Sequence, residues 1–343
     1  MIKKILKKLR DKFLSPVLSK LNELECKFND PVLSKLNELE YKINTALMTD
    51  PVLNKLNELE YKINVAFMTK DNISRIQNDL FDFFRSCYKI YNFSGVEMFL
   101  QEIYSLIVKE GDCVIDVGAN HGLHTIPLSK LVGKSGKVIA CEAVQSYVDD
   151  IEGKIDMDNV LFYCAAITKP QVAIENKEIS FVYYPDLDGY SGIKGIKDKS
   201  HANLRKNIII VPALTLDKIV EDENLDEHAK ISFIKIDIEG GEFDALLGSE
   251  NILIKYKPVI FFEDNLASCE NLYNYTRSEY FEYLNRLGYK QFQFTGGKSD
   301  EQDYEKRNLP GAWLVHTESK YMNFFERTYI NLAIAYMLKI KTL

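Results

Sequence analysis

No uninterrupted apolar run in the 343 residues approaches the roughly 20 that a helix needs to span a bilayer, so no membrane-crossing helix is expected. The first residues also lack the long apolar stretch and small-residue cleavage site of a secretory signal. Basic residues are not in surplus: 43 Lys and Arg face 50 Asp and Glu, a net charge of −7. That balance argues against a dominant nucleic-acid surface. Cysteine is sparse. Cys26, Cys87, Cys113, Cys141, Cys164 and Cys269 include no C-x-x-C pair, and three lie in apolar runs, which suits buried thiols in a reducing compartment. His121, His124 and His316 have no metal-ligand spacing, and core or surface positions suit them better. A cytoplasmic protein is expected, and 46% hydrophobic residues suffice for one large core.

Against these absences stands the stretch Val114 to Glu142. Val114-Ile115-Asp116-Val117 is apolar around one acid, as in a short buried strand. Gly118 and Gly122 then allow a sharp turn and close approach to a ligand. A helical run to Leu131 leads to a second apolar strand, Lys137 to Glu142, whose final acid sits where open α/β sheets bind ribose hydroxyls. The unit is a βαβ nucleotide-binding pattern. A dinucleotide fold wants G-x-G-x-x-G, but this loop has two glycines, and Asp116 would repel a pyrophosphate. That acid suits the cationic groups of S-adenosylmethionine.

Asp116-Val117-Gly118-Ala119-Asn120-x-Gly122, Glu142, and Phe233-Ile234-Lys235-Ile236-Asp237-Ile238-Glu239-Gly240-Gly241-Glu242 together resemble the FkbM family of S-adenosylmethionine-dependent methyltransferases, from about Ser94 to His316. The resemblance implies an α/β class I methyltransferase, a Rossmann-like doubly wound sheet with a closing antiparallel strand. It also implies O-methylation of a small-molecule or glycan hydroxyl. Cofactor contacts are then expected from Glu97, Asp116, Gly118, Ala119, Asn120, Gly122, Glu142, Ala166 and Asp237. The family usually has proline after the acid matching Glu142, where this chain has Ala143. Glu97, in Ser94-Gly95-Val96-Glu97, matches the family's lead-in segment and would hold the methionine end. No acid follows the third strand, so either backbone around Ala166 serves the adenine or the acid lies elsewhere.

Methyl transfer to a hydroxyl is largely a matter of in-line positioning. A nearby carboxylate can take the proton, or a metal held by several carboxylates can acidify the hydroxyl. Asp237, Glu239 and Glu263 are the candidates for either task, although a divalent metal is not read from the sequence and no residue is assigned to one.

The N-terminal part is helical. Residues 1–14 form a basic amphipathic helix, with Lys3, Lys4, Lys7, Lys8, Arg10 and Lys12 opposite Ile2, Ile5, Leu6, Leu9 and Phe13. It suits either weak contact with an anionic membrane surface or packing on a neighbouring helix. Residues 15–70 are tandem repeats, the later two 20 residues long and nearly identical, each opening with Asp-Pro at a helix start. Twenty residues rotate the apolar stripe to nearly the opposite face, so bent helices are expected. The stripe is covered by homo-oligomer formation or by a local hairpin. Residues 71–110 read as a helical lead-in, 111–318 as the methyltransferase domain and 319–343 as an amphipathic helix. Within the domain, strands are expected at 160–167, 179–184, 207–211, 231–236, 259–262, 289–294 and 312–316. The loop holding Tyr190-Ser191-Gly192 is assigned to the acceptor. Two other readings are a nicotinamide-dependent oxidoreductase, which the missing glycine opposes, and an inactive interaction protein built on the repeats.

Overall fold

The structure is a computed structural model that describes residues 95–154, 158–185, 191–194, 205–225, 230–263, 273, 275–294, 297–301 and 311–328. The chain divides into two units, Met1–Asn72 and Ile73–Leu343, and every described residue belongs to the second. The basic helix, the tandem repeats, most of the lead-in, Tyr190 and the tail beyond Thr328 lie outside the described residues.

In chain order the elements are α1 (Gly95–Ile107), β1 (Cys113–Val117), α2 (Thr125–Val132), β2 (Lys137–Glu142), α3 (Gln145–Glu152) and β3 (Val160–Cys164). Then come β4 (Ala166–Ile167), α4 (Pro170–Glu175), β5 (Glu178–Tyr183), β6 (Asn207–Leu214), α5 (Leu216–Asp222), β7 (Ile231–Ile236) and α6 (Glu242–Leu247). The domain ends with α7 (Glu250–Tyr256), β8 (Val259–Phe262), α8 (Arg277–Arg286), β9 (Tyr289–Gln293), β10 (Lys298–Ser299), β11 (Ala312–His316) and a π-helical turn, Phe324–Thr328.

Eight strands form one mixed sheet in the order β10-β9-β11-β8-β7-β1-β2-β3. The five from β3 to β8 run parallel, and β11 is antiparallel to both neighbours. The central strands are buried along their length, as near-continuous apolar runs require when helices cover both faces. Alternation sends Ile115, Val117, Ile234 and Ile236 to one core, with Phe243, Leu246, Tyr280 and Leu284. Val114 and Phe233 go to the other, with Phe99, Ile103, Tyr104 and Trp313. The helix α1 buries Phe99, Leu100, Ile103, Tyr104 and Ile107 as one stripe in that second core.

Several expected elements shift. The third strand does not run to Ile167: β2 offers its last partner at Glu142↔Cys164, so Ala166–Ile167 pair with Ala213–Leu214 of β6 in a separate sheet, β4-β6-β5. Arg277 begins α8, and Glu279 follows inside its first turn. It is the third residue of a helix capped by Thr276, whose hydroxyl accepts from Glu279 N while Glu279 Oε2 accepts from Thr276 N at 2.6 Å. The short helices α5 and α7 were not anticipated; Thr215, accepting from Lys218 N, caps α5.

Candidate functional site

The chain leaves β1 toward β2 and β3 on one side and returns through β7 and β8 on the other, so the sheet reverses direction between β1 and β7. Ligands of open α/β sheets bind outside the carboxyl ends of the strands at such a point. A cavity of about 470 Å³ lies there.

Its floor is the loop after β1. The pairing Val117↔Ile236 brings Gly118 against Asp237, and a Cβ on Gly118 would lie 1.9 Å from the Asp237 carbonyl oxygen. Gly118 has φ +83°, so glycine is required twice over. The amides of Gly118 and Ala119 donate to Cys141 O, and Asn120, at φ +47°, donates its amide to Glu142 Oε2 at 2.8 Å. The other Glu142 oxygen accepts from Val144 N at 2.9 Å. Burial pushes the Glu142 carboxyl up, while these backbone N–H groups pull against that rise. The carboxylate is thus locked by two donors, each oxygen keeping a lone pair for a ligand.

One wall is acidic. Asp237 and Glu263 each follow a residue of the pair Ile236↔Phe262, so the register sets them side by side. Glu239, at φ +56°, turns back over them. One carboxylate oxygen from each of Asp237, Glu239 and Glu263 lies within 4.8 Å of the others. Below them Lys235 Nζ, nearly inaccessible, lies 3.0 Å from Asp237 Oδ2 and 3.8 Å from Asp116 Oδ1. Burial alone would lower the Lys235 ammonium; Asp237, Asp116 and Glu97 instead raise it. Burial would raise Asp237, yet Lys235 and a hydrogen bond with Glu263 hold it below its ordinary range. Burial and the charge of Asp237 push Glu263 well up, so the proton of that pair rests on Glu263. Burial, then Asp237 and Glu242, push Glu239 up to about 8. Burial likewise raises Glu242 to about 7; its Oε1 accepts from Gly240 N and Ile238 N and shapes the turn.

The remaining walls come from distant segments. At the mouth His124 Nε2 and Glu97 Oε2 are 2.7 Å apart, joining α1 to the start of α2. Opposite, the His121 ring packs on Tyr147 at 4.2 Å between centroids, while its Nδ1 meets Asp150 at 2.7 Å. Ser191 and Ile193 also face the cavity, the strap between them pairing Gly192 with Val182 of β5.

The structure therefore brings Glu97, Gly118, Ala119, Asn120, Glu142, Ala166, Asp237, Glu239 and Glu263 to one cavity. Asp116 and Gly122 do not line it. Asp116 is fully buried, its Oδ2 accepting from Thr125 Oγ1 at 2.6 Å: it occupies the next-to-last position of β1 and points into the sheet face rather than out of its end. Gly122 serves packing, since a Cβ there would lie 3.1 Å from the Ile151 side chain. Asp237, Glu239 and Glu263, the three carboxylates named for either base or metal duty, come together beyond the ends of β7 and β8, close enough to hold one ion. His121 and His124 both line the cavity, His124 from a buried position and His121 from a partly exposed one. Lys235 was missed as a site residue, although a lysine inside an otherwise apolar strand was its signal. Tyr147 and Phe181 left no signal beyond ordinary core composition.

A family model described as the methyltransferase FkbM domain matches residues 116–290, just over half of the chain. No curated protein matches the sequence. Among solved structures, the methyltransferase FkbM from Methylobacillus flagellatus is similar at 13% identity and TM-score 0.34, over 63% of this chain and 50% of that one. The O-methyltransferase from Bacillus cereus, in complex with SAH, is similar at 15% identity and TM-score 0.36, over 69% and 89% of the two chains. A putative rRNA-methylase from Clostridium thermocellum gives 13% identity and TM-score 0.35, over 64% and 94%.

Proposed function

Because the chain belongs to the FkbM methyltransferase family, we propose that its cavity binds S-adenosylmethionine and that it methylates a hydroxyl of a small molecule or glycan. The observation that carries this reading is the cradle itself: main chain at Gly118 pressed on Asp237, with Glu142 fixed beside it by two backbone donors. The residues present suit the group. A Cβ would fill the cradle at Gly118, Glu142 has lone pairs for ribose hydroxyls, and Glu97 at the mouth offers a carboxylate to an ammonium. Ala165, Ala166 and Ile167 give the adenine a small apolar wall. When bound, the cofactor supplies an electrophilic methyl group on a sulfonium.

The chain's own part is to position and to receive a proton. The acids at the ends of β7 and β8 stand where an acceptor hydroxyl would be held. As the acceptor oxygen gains the methyl group, its proton passes to a carboxylate of this cluster. That chemistry favours oxygen as the nucleophile, and holding it in line does most of the work.

Calorimetric titration of the full chain with S-adenosylhomocysteine, in parallel with NADH and repeated on Glu142→Ala, tests the reading. Binding of S-adenosylhomocysteine only, lost in the variant, is expected, followed by transfer of labelled methyl to a member of a glycan panel. Binding of NADH instead would overturn it. Binding of S-adenosylhomocysteine without turnover on any hydroxyl would favour a non-catalytic role.

A further inference from the structure

His124 stands where a capping residue belongs, yet it does not cap. It is the N-cap of α2, a position that favours Ser, Thr, Asp or Asn, and its side chain makes no bond to that helix. The buried ring turns instead to α1 and meets two of its residues. Nε2 lies 2.7 Å from Glu97 Oε2, and Nδ1 lies 3.4 Å from the Tyr104 hydroxyl. Glu97 and Tyr104 are two helical turns apart, so both fall on one face of α1. A further bond, from Gln101 Nε2 to Leu123 O at 3.2 Å, ties the same two segments together.

The partners fix the direction of these bonds. A carboxylate only accepts, so Nε2 donates to Glu97. Burial, then the charges of Asp116 and Glu97, raise the Tyr104 phenol, which therefore keeps its proton and donates to Nδ1. That bond selects the tautomer with its proton on Nε2. Glu97 is thereby tied through Oε2 at the cavity mouth, where 30% of its side-chain surface stays exposed and Oε1 is left to a ligand. From this geometry we infer that His124 is a positioning residue: it holds the Glu97 carboxylate ready for the α-ammonium of the cofactor, and so makes the site prefer ligands that carry this group. The inference rests on the methyltransferase reading. Without the imidazole donor, the ligand itself must order Glu97, and immobilising one flexible side chain costs about three- to tenfold in affinity.

The test is calorimetry of the full chain with two ligands, S-adenosylhomocysteine and its analogue lacking only the α-amino group. His124→Leu should weaken the first by about three- to tenfold and leave the second within about twofold of the unsubstituted protein. Binding of the analogue also reports that the variant is folded. His124→Gln, whose amide offers an N–H near the reach of Nε2, should restore the preference for the amino-bearing ligand. In a Glu97→Gln background, His124→Leu should add little, because the two residues act as one unit. Equal loss of both ligands in His124→Leu, or a loss undiminished in the Glu97→Gln background, would overturn the inference and leave His124 as scaffold alone. Binding of neither ligand by the unsubstituted chain would overturn it together with the cofactor reading, so the two failures stay distinguishable.

Discussion

Replacing Gly118 by alanine tests the cofactor cradle most directly. A Cβ built there meets the Asp237 carbonyl oxygen at 1.9 Å and its carbon at 2.9 Å. An ordinary contact begins near 3.4 Å, so the loop and the end of β7 must part by roughly 1.5 Å. Alanine at φ +83° adds about 1–2 kcal/mol of backbone strain, and forced separation in a packed site adds about 1–3 kcal/mol. The expected loss is therefore about 2–5 kcal/mol. In a domain of this size each kcal/mol lowers the melting temperature by about 2–4 °C. Function should suffer more than stability, because a displacement of about 1 Å at a reacting centre can cost on the order of 100-fold in rate. Gly153→Ala is the internal control: that glycine lies at φ −66°, and a new Cβ would meet nothing closer than 3.4 Å. Differential scanning fluorimetry and S-adenosylhomocysteine calorimetry on both variants decide the matter. If Gly118→Ala melted and bound like Gly153→Ala, the proximity of the two strand ends would be wrong, and with it the placement of the cavity.

Lys235→Met should destabilise the domain by about 3–5 kcal/mol, because it leaves Asp116 fully buried, and Asp237 partly so, without their cation; urea denaturation at pH 7 measures this, and a change below 1 kcal/mol would contradict the arrangement. Glu242 makes stability pH-dependent. Its folded pKa of about 7 lies above an ordinary 4.5, so its contribution is fully present below about pH 4.5 and is lost as pH rises through about 7, on the order of 3 kcal/mol in all. Both of its backbone bonds go to Oε1, which glutamine can keep, so Glu242→Gln should flatten the fall in stability between pH 5 and 8. Thr276→Ala removes the cap of α8 and should cost about 0.5–2 kcal/mol, measurable as a shifted urea midpoint with unchanged slope.

The central sheet was legible because parallel strands buried on both faces leave unbroken apolar runs, as in Ile231–Ile236 and Val259–Phe262. Glu142 and Asp237 were legible for the same reason, since an acid ending such a run marks the sheet's edge. Short elements were not: α5 and α7 have seven residues each, too few for a helical period to separate from loop. The exit of Asp116 from the cavity turns on strand alternation, which fixes its face only once the orientation of β1 is known. The pairing of Glu97 with His124 joins residues 27 apart, and nothing in either neighbourhood announces it. Lys235 was visible as an anomaly, but its meaning required the register that sets it beside Asp116.

That register has an evolutionary corollary. Side chains alternate along a strand, so inserting or deleting one residue within β7 or β8 would invert its core pattern and separate Asp237 from Glu263 at once. Descendants of this chain can therefore explore new acceptors by point substitution around the cavity or by lengthening the segments between strands. They cannot do so by changing the length of the strands themselves. The acids should thus keep a constant count from the preceding apolar run, even where everything between β4 and β7 has drifted beyond recognition.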